Sequence, residues 1–173
     1  MTRLLSLGFL AALLALPFAR ATADDKGTLS KGDRDFVNEA ATGGMLEVKL
    51  GQLAMDNSSN ADVKKFGERM VADHSKANKE LKEIADKKGV ACPRDLEAKQ
   101  QQELDRMAKM KGADFDREYV QLMVKDHKDD VAAFENQAKN GQDKDLKEFA
   151  NKTLPTIREH LGLIQTIAGK GNK

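Results

Sequence analysis

Apolar residues in this chain recur at intervals of three, four and seven, and hardly anywhere in strict alternation. That spacing gathers them on one face of a helix; a half-buried strand would need a period of two. Aromatic residues make up only 5% of the chain, so the bulky side chains that strands favour are scarce. The expected fold class is all-α. Four long helices are predicted. The first runs from about Asp33 to Asn57, with a stripe of Phe36, Val37, Ala40, Gly44, Leu50, Gly51 and Ala54. The second runs from Ala61 to Lys88, with Val63, Phe66, Met70, Ala77, Leu81 and Ile84. The third begins near Asp114 and carries Phe115, Tyr119, Leu122, Met123, Val131, Phe134 and Ala138. The fourth carries Leu146, Phe149, Ala150, Leu154, Ile157, Leu161, Ile164 and Ala168.

The connections set the topology. Ser58, Ser59 and Asn60 make a short turn whose side chains cap the second helix. Gly89 ends that helix as glycine does just past a helix terminus. Residues 90–112 form a long crossover, in which Pro93 opens a polar helical stretch over Arg94 to Lys111. Asn140-Gly141 is a second short turn, with Asp143 as N-cap. Two short connections and one long one predict a ferritin-like four-helix bundle with a helical crossover between helices 2 and 3. An up-down-up-down bundle with a disordered long loop is the alternative. Pro155, inside the fourth helix, is expected to kink it and free the carbonyl of Asn151.

The N-terminus reads as an export signal. Arg3 supplies a positive start, Leu4 to Phe18 is apolar or small apart from a few breaks, and two small-x-small sites end at Ala21 and Ala23. An apolar run of about 15 residues falls short of a membrane-spanning helix. The expected organisation is a signal peptide over 1–23, a linker over 24–32, the bundle over 33–169 with its crossover over 90–112, and a tail over 170–173. The expected location is the periplasm or cell envelope, after cleavage near Ala21 or Ala23. Losing Arg3 and Arg20 takes the 29 basic residues to 27 against 28 acidic ones. A near-neutral mature chain offers no basic excess for nucleic acid. No transmembrane helix is expected in the mature form, which is read as a monomer or homodimer with no identifiable protein partner. Cys92 is alone, so it forms no internal disulfide, and it reads as a loop thiol.

The polar residues on apolar stripes are the informative ones. Glu47 lies seven residues after Ala40 and seven before Ala54. His74 lies four after Met70, His127 four after Met123, and His160 three after Ile157. These are the chain's 3 histidines, and all fall at core positions. Helix rise puts Glu47 roughly 18 Å and His74 roughly 22 Å from one end of the bundle and, if the crossover returns the chain to that end, His127 roughly 20 Å from it, with His160 somewhat nearer. All four lie within a band of about 10 Å. Three imidazoles and a carboxylate at one level are metal ligands by type, suited to one zinc, copper or iron ion. Met70 and Met123, one turn before two of the histidines, are possible additional soft ligands that would favour copper; a methionine on a stripe is also ordinary core filler. Asp73, Asp126 and Glu159 each precede a histidine, and the 100° step round a helix makes them rim groups or partners of the rings. A histidine–glutamate cluster that binds no metal, held by hydrogen bonds alone, is the competing reading.

Other chemistries lack their motifs. Di-iron bundles use Glu-x-x-His on two helices, and here Val71, Val124 and Ile157 stand three before the histidines. There is no Cys-x-x-Cys-His for covalent haem, no Gly-rich phosphate loop for a nucleotide and no Ser–His–acid pattern.

A weak internal repeat pairs Phe66-x-x-x-Met70-Val71-x-Asp73-His74 with Tyr119-x-x-x-Met123-Val124-x-Asp126-His127. Together with Glu47-Val48-x-Leu50-Gly51-x-Leu53-Ala54, Phe115-Asp116-x-x-Tyr119 and Leu154-Pro155 followed by His160-Leu161, these boxes resemble an exported family known as a domain of unknown function and often labelled outer membrane protein. The resemblance covers nearly the whole mature chain. It implies a ferritin-like fold and a bacterial envelope location, and no established activity. Helices of this composition cannot build a membrane barrel. The functional expectation is an exported bundle binding one metal ion in its core, for metal buffering or envelope stress. The alternative is a non-catalytic envelope interaction protein with a buried polar cluster. An enzyme using an open metal position is the weakest reading.

Overall fold

The computed structural model describes residues 29–171, so the signal sequence and most of the linker expected at the N-terminus lie outside the described residues. Five helices follow in order: α1 (Lys31–Asn57), α2 (Ala61–Lys87), α3 (Ala98–Ala108), α4 (Gly112–Asn140) and α5 (Lys144–Gly171). Among the described residues none is a strand, and no helix is long and apolar enough to cross a membrane.

The caps fall close to where the side-chain chemistry calls for them. Ser30 accepts from the Asp33 amide and starts α1 slightly earlier than expected. Asn60 caps α2 through the Asp62 amide. Gly89 takes φ +69° just beyond α2, a conformation that costs glycine least. Asp143 accepts from the amides of Asp145 and Leu146 at the start of α5. The crossover helix is shorter than predicted, because residues 90–97 have no helical structure and Glu97 closes a capping box with Gln100. The α5 helix runs unbroken through Pro155, whose ring lies on the exposed side.

The long crossover returns the chain to the end at which α1 finished. At that upper end, Ser58 and Ser59 hydrogen-bond to Asp116 near the start of α4, and Lys111 donates to Asn57. At the lower end, Asp33 of α1 accepts from the amides of Gln142 and Asp143 in the α4–α5 turn and from Gln137. Lys88 pairs there with Asp143 and Asp145. Hence α1 and α5 run up while α2 and α4 run down, the crossover arrangement rather than an up-down-up-down bundle. The hairpins α1–α2 and α4–α5 pack side by side through α2 against α5 and α1 against α4. The fold is a ferritin-like four-helix bundle.

The core is split in two. The lower cluster holds Phe36, Val37, Leu81, Phe134, Leu146, Phe149 and Ile157. The upper cluster holds Leu50, Val63, Phe66, Met70, Phe115, Tyr119, Met123 and Ile164, closed from the side by Met107 of α3. Burying each large apolar side chain contributes roughly 1.5–3 kcal/mol, and these two clusters supply most of the driving force. Both clusters omit Glu47, His74, His127 and His160, which are nonetheless buried. Glycine brings α1 and α2 unusually close: a Cβ on Gly51 would lie 2.8 Å from the Gly67 carbonyl oxygen, and one on Gly67 would lie 2.7 Å from that of Gly51. One turn below Gly51 is Glu47, and two turns below Gly67 is His74, so this approach sets the distance between them.

Candidate metal centre

All four main helices send a polar side chain into the boundary between the two clusters. His74 comes from α2, His127 from α4, His160 from α5 and Glu47 from α1. His127 and His160 have no exposed surface (0%). The rings of His74 and His160 are tilted and His127 meets each of them in a T-shaped arrangement, with centroids 5.4 to 5.8 Å apart. One ring nitrogen from each lies within 4.8 Å of the others. Nitrogens around one tetrahedral ion sit about 3.4 Å apart, so small side-chain shifts would close the set. Phe66 covers the rings from the upper cluster, 6.0 Å from His127 and 6.1 Å from His160 between centroids.

Each ring is held from its other nitrogen. His74 Nδ1 lies 2.8 Å from Glu47 Oε2. His127 Nδ1 donates to the Met123 carbonyl at 2.9 Å, the only role open to a nitrogen facing a carbonyl oxygen. His160 Nε2 lies 2.8 Å from Asp73 Oδ2. Asp73 also accepts from Arg69, and Arg69 reaches on to Glu159 of α5. The atoms left over are His74 Nε2, His127 Nε2 and His160 Nδ1, and all three are buried with no hydrogen-bond partner. A ring held by a hydrogen bond at one nitrogen, with the other nitrogen buried and unpartnered, is the arrangement that metal-binding histidines adopt.

Charge follows burial. His127 is pushed down to about 3 by desolvation, with the two neighbouring imidazoles adding to the shift against its bond to Met123. His74 and His160 are lowered for the same first reason, opposed by nearby Asp130 and Asp73 respectively. All three rings are therefore neutral at neutral pH, as ligands must be. Burial pushes Glu47 up to about 8, and the carboxylate of Asp126 adds to this while a hydrogen bond with Asp130 opposes it. Asp130 is raised well above the usual carboxylate range by burial and by Glu47. Asp73 is pushed up by burial but ends below its ordinary value, because His160 and Arg69 donate to it.

The residues expected from the sequence therefore occupy different stations. The three histidines converge. Glu47 sits against His74 Nδ1 and, with its other oxygen, 3.7 Å from His127 Nε2. The donor sets among the described residues are two: His74–His127–His160, and Glu47–His127–Asp130. Asp73 holds a ring, on α5 rather than its own helix. Asp126 touches no imidazole; burial raises it to about 6, and Lys125 lies 3.8 Å away. Met70 and Met123 are fully buried in the upper cluster, and Met123 meets the centre through its carbonyl. Two groups escaped the sequence reading. Asp130 lies three residues after His127 and four before Phe134, so its place on the stripe was legible in the spacing. Tyr119 was read as an apolar stripe residue, but its hydroxyl is buried without a partner, and burial pushes the phenol above its ordinary range.

Among solved structures the chain is similar to a DUF305 fragment from Deinococcus radiodurans, with TM-score 0.72, 11% identity, and 83% of this chain and 99% of that one covered. It is similar to CopM in its Cu(I)-bound form, with TM-score 0.68, 15% identity, and 82% and 98% covered. A DUF305 protein from Streptomyces coelicolor, described as secreted, matches with TM-score 0.67, 13% identity, and 81% and 94% covered. At these identities the likeness is one of fold. No curated protein sequence matches the chain. The family model described as "Domain of unknown function (DUF4142)" matches residues 18–167, and the chain, a helical bundle with a buried histidine layer, belongs to that family.

Proposed function

We propose that this protein is an exported helical bundle that binds one transition-metal ion at mid-height, through His74 Nε2, His127 Nε2 and His160 Nδ1. The observation that carries the reading is the trio of buried, unpartnered lone pairs. Leaving such atoms unmatched costs free energy that a bound cation would recover. Glu47 and Asp73 then act through the rings, orienting His74 and His160, and Asp73 supplies negative charge to offset the ion. Neutral imidazoles suit copper and zinc, and the likeness to a Cu(I)-bound bundle makes copper the first metal to test. Buffering of metal in the envelope, after removal of the N-terminal signal, is the role such a site supports. The space beside Glu47 and His74 is about 20 Å³, room for one water and not for a substrate, which favours binding over catalysis.

The test is metal analysis by mass spectrometry of untagged mature protein after incubation with copper or zinc. About one ion per chain is expected, with none in the variant carrying His74→Ala, His127→Ala and His160→Ala. Substoichiometric metal that those changes leave untouched overturns the reading.

A second reading is favoured by one observation: Glu47 and His74 already meet at 2.8 Å without an ion. The layer would then be a structural polar cluster in an envelope interaction protein. It predicts a melting temperature indifferent to every metal, and a large loss of stability on replacing His74.

A further inference from the structure

Beside the three-imidazole position lies a second set of donors that shares one member with it. Carboxylate oxygens of Glu47 and Asp130 and a ring nitrogen of His127 lie within 4.8 Å of one another. Because His127 Nδ1 donates to Met123, its Nε2 carries a lone pair. That lone pair faces Glu47 Oε1 at 3.7 Å, and both atoms are buried without a hydrogen-bond partner. The separation is too long for a hydrogen bond. It is close to the roughly 3.4 Å between two ligands of one tetrahedral ion. A cation between them would satisfy both.

Asp130 links this pair to the surface. With Glu47, His74 and Asn78 it lines an internal cavity of about 20 Å³, which is enough for one water-sized particle. With Glu39 and Asp129 it also lines a surface groove of about 210 Å³ between α1 and α4. Its carboxylate thus stands between an acidic groove and the buried layer.

We propose that Glu47, His127 and Asp130 form a second cation position, through which a divalent transition-metal ion passes from the α1–α4 groove to the three histidines. The proposal rests on the metal-binding reading above. His127 Nε2 belongs to both positions, and one lone pair serves one ion. The two positions are therefore successive stations for a single ion, not a dinuclear centre. In the transfer the ion exchanges oxygens of Glu47 and Asp130 for nitrogens of His74 and His160, and His127 stays bound throughout. Oxygen ligands suit an ion that still carries water; the imidazoles receive it once it is dehydrated.

The test uses Co²⁺ added to metal-stripped mature protein, followed by its visible absorption. Wild type is expected to take up one ion per chain. His160→Ala is expected to keep one ion at about 10–100-fold lower affinity, and His160→Ala combined with Asp130→Asn to keep none. In stopped flow, Asp130→Asn alone, which removes a ligand oxygen of the second position, is expected to slow uptake at least about tenfold while the final stoichiometry stays at one. Far-UV circular dichroism checks that the variants fold, and the Asp130→Asn rate stands independently of the His160 variants. Uptake by Asp130→Asn at the wild-type rate, or no uptake by a folded His160→Ala, overturns the second position and leaves the three-histidine site standing. A wild-type chain that takes up no Co²⁺ overturns both.

Discussion

Glu47 Oε2 lies 2.8 Å from His74 Nδ1, joining α1 to α2 at the level where the apolar core gives way to a polar layer. Both side chains are almost fully buried. Removing one partner of such a buried hydrogen-bonded pair leaves the other unsatisfied, a larger loss than the bond's net contribution. Glu47→Ala is expected to lower the unfolding free energy by about 1–3 kcal/mol and to weaken metal binding about 10–100-fold. Urea melts and competition with a chelating dye measure the two effects.

Metal should stabilise the bundle by mass action. Free metal at about 100 times its dissociation constant adds roughly 2.7 kcal/mol. The melting temperature of the stripped protein should therefore rise on adding copper or zinc, and His160→Ala should remove most of the rise. Differential scanning fluorimetry reads this directly; a rise of equal size in the variant would count against the three-histidine site.

The glycine contact between α1 and α2 should matter to both stability and site. Gly67→Ala sets a methyl group against the Gly51 carbonyl and the Ala54 side chain. Overpacking of this kind costs about 1–3 kcal/mol, and the helices must part where Glu47 meets His74. Lower stability with weaker metal binding is expected. Because both glycines guard one approach, Gly51→Ala with Gly67→Ala should cost less than the sum of the single changes.

Asp33 ties the lower end together and should produce an acid-sensitive term. Burial pushes its carboxyl up, but the bonds from Gln137, Ser30 and the amides of Gln142 and Asp143 outweigh this and hold it below its ordinary 3.8. A depressed folded value stabilises the protein above the unfolded value, and the stabilisation is lost as pH falls through the folded one. Asp33→Asn should be less stable than wild type by about 1.5–3 kcal/mol at pH 6. The gap should shrink as pH drops below about 4. Paired urea melts at several pH values test it; a gap that stays constant down to pH 2 would contradict the assignment.

Asp73 is more exposed than Glu47, and its bond to Arg69 is a pair about one-third accessible. Such pairs contribute less than about 1 kcal/mol. Asp73→Asn keeps an oxygen for His160 but loses the charge. A small stability change with a roughly tenfold loss of metal affinity is expected. The same urea and competition measurements separate the two.

Much of this architecture was legible in the chain. Stripes at helical spacing, the Asn60, Gly89 and Asp143 stop and start signals and the long crossover specify four helices, because each signal acts within a few residues of backbone. The three histidines could be placed at one height, since position along a helix is a rise per residue. Spacing reports height and azimuth on a single helix and is silent about what the neighbouring helix presents. Only packing decided that α4 lies against α1, which brings Asp130 and His127 to Glu47. Only packing turned Glu47 onto His74 Nδ1 and Asp73 onto His160 of another helix, leaving the remaining ring nitrogens buried without a partner. The sequence by itself determined a helical bundle with a polar layer. The tertiary structure decided which atoms of that layer are tied up in hydrogen bonds and which are left without a partner, because hydrogen bonds between helices depend on distances that the Gly51–Gly67 approach and the crossover set together.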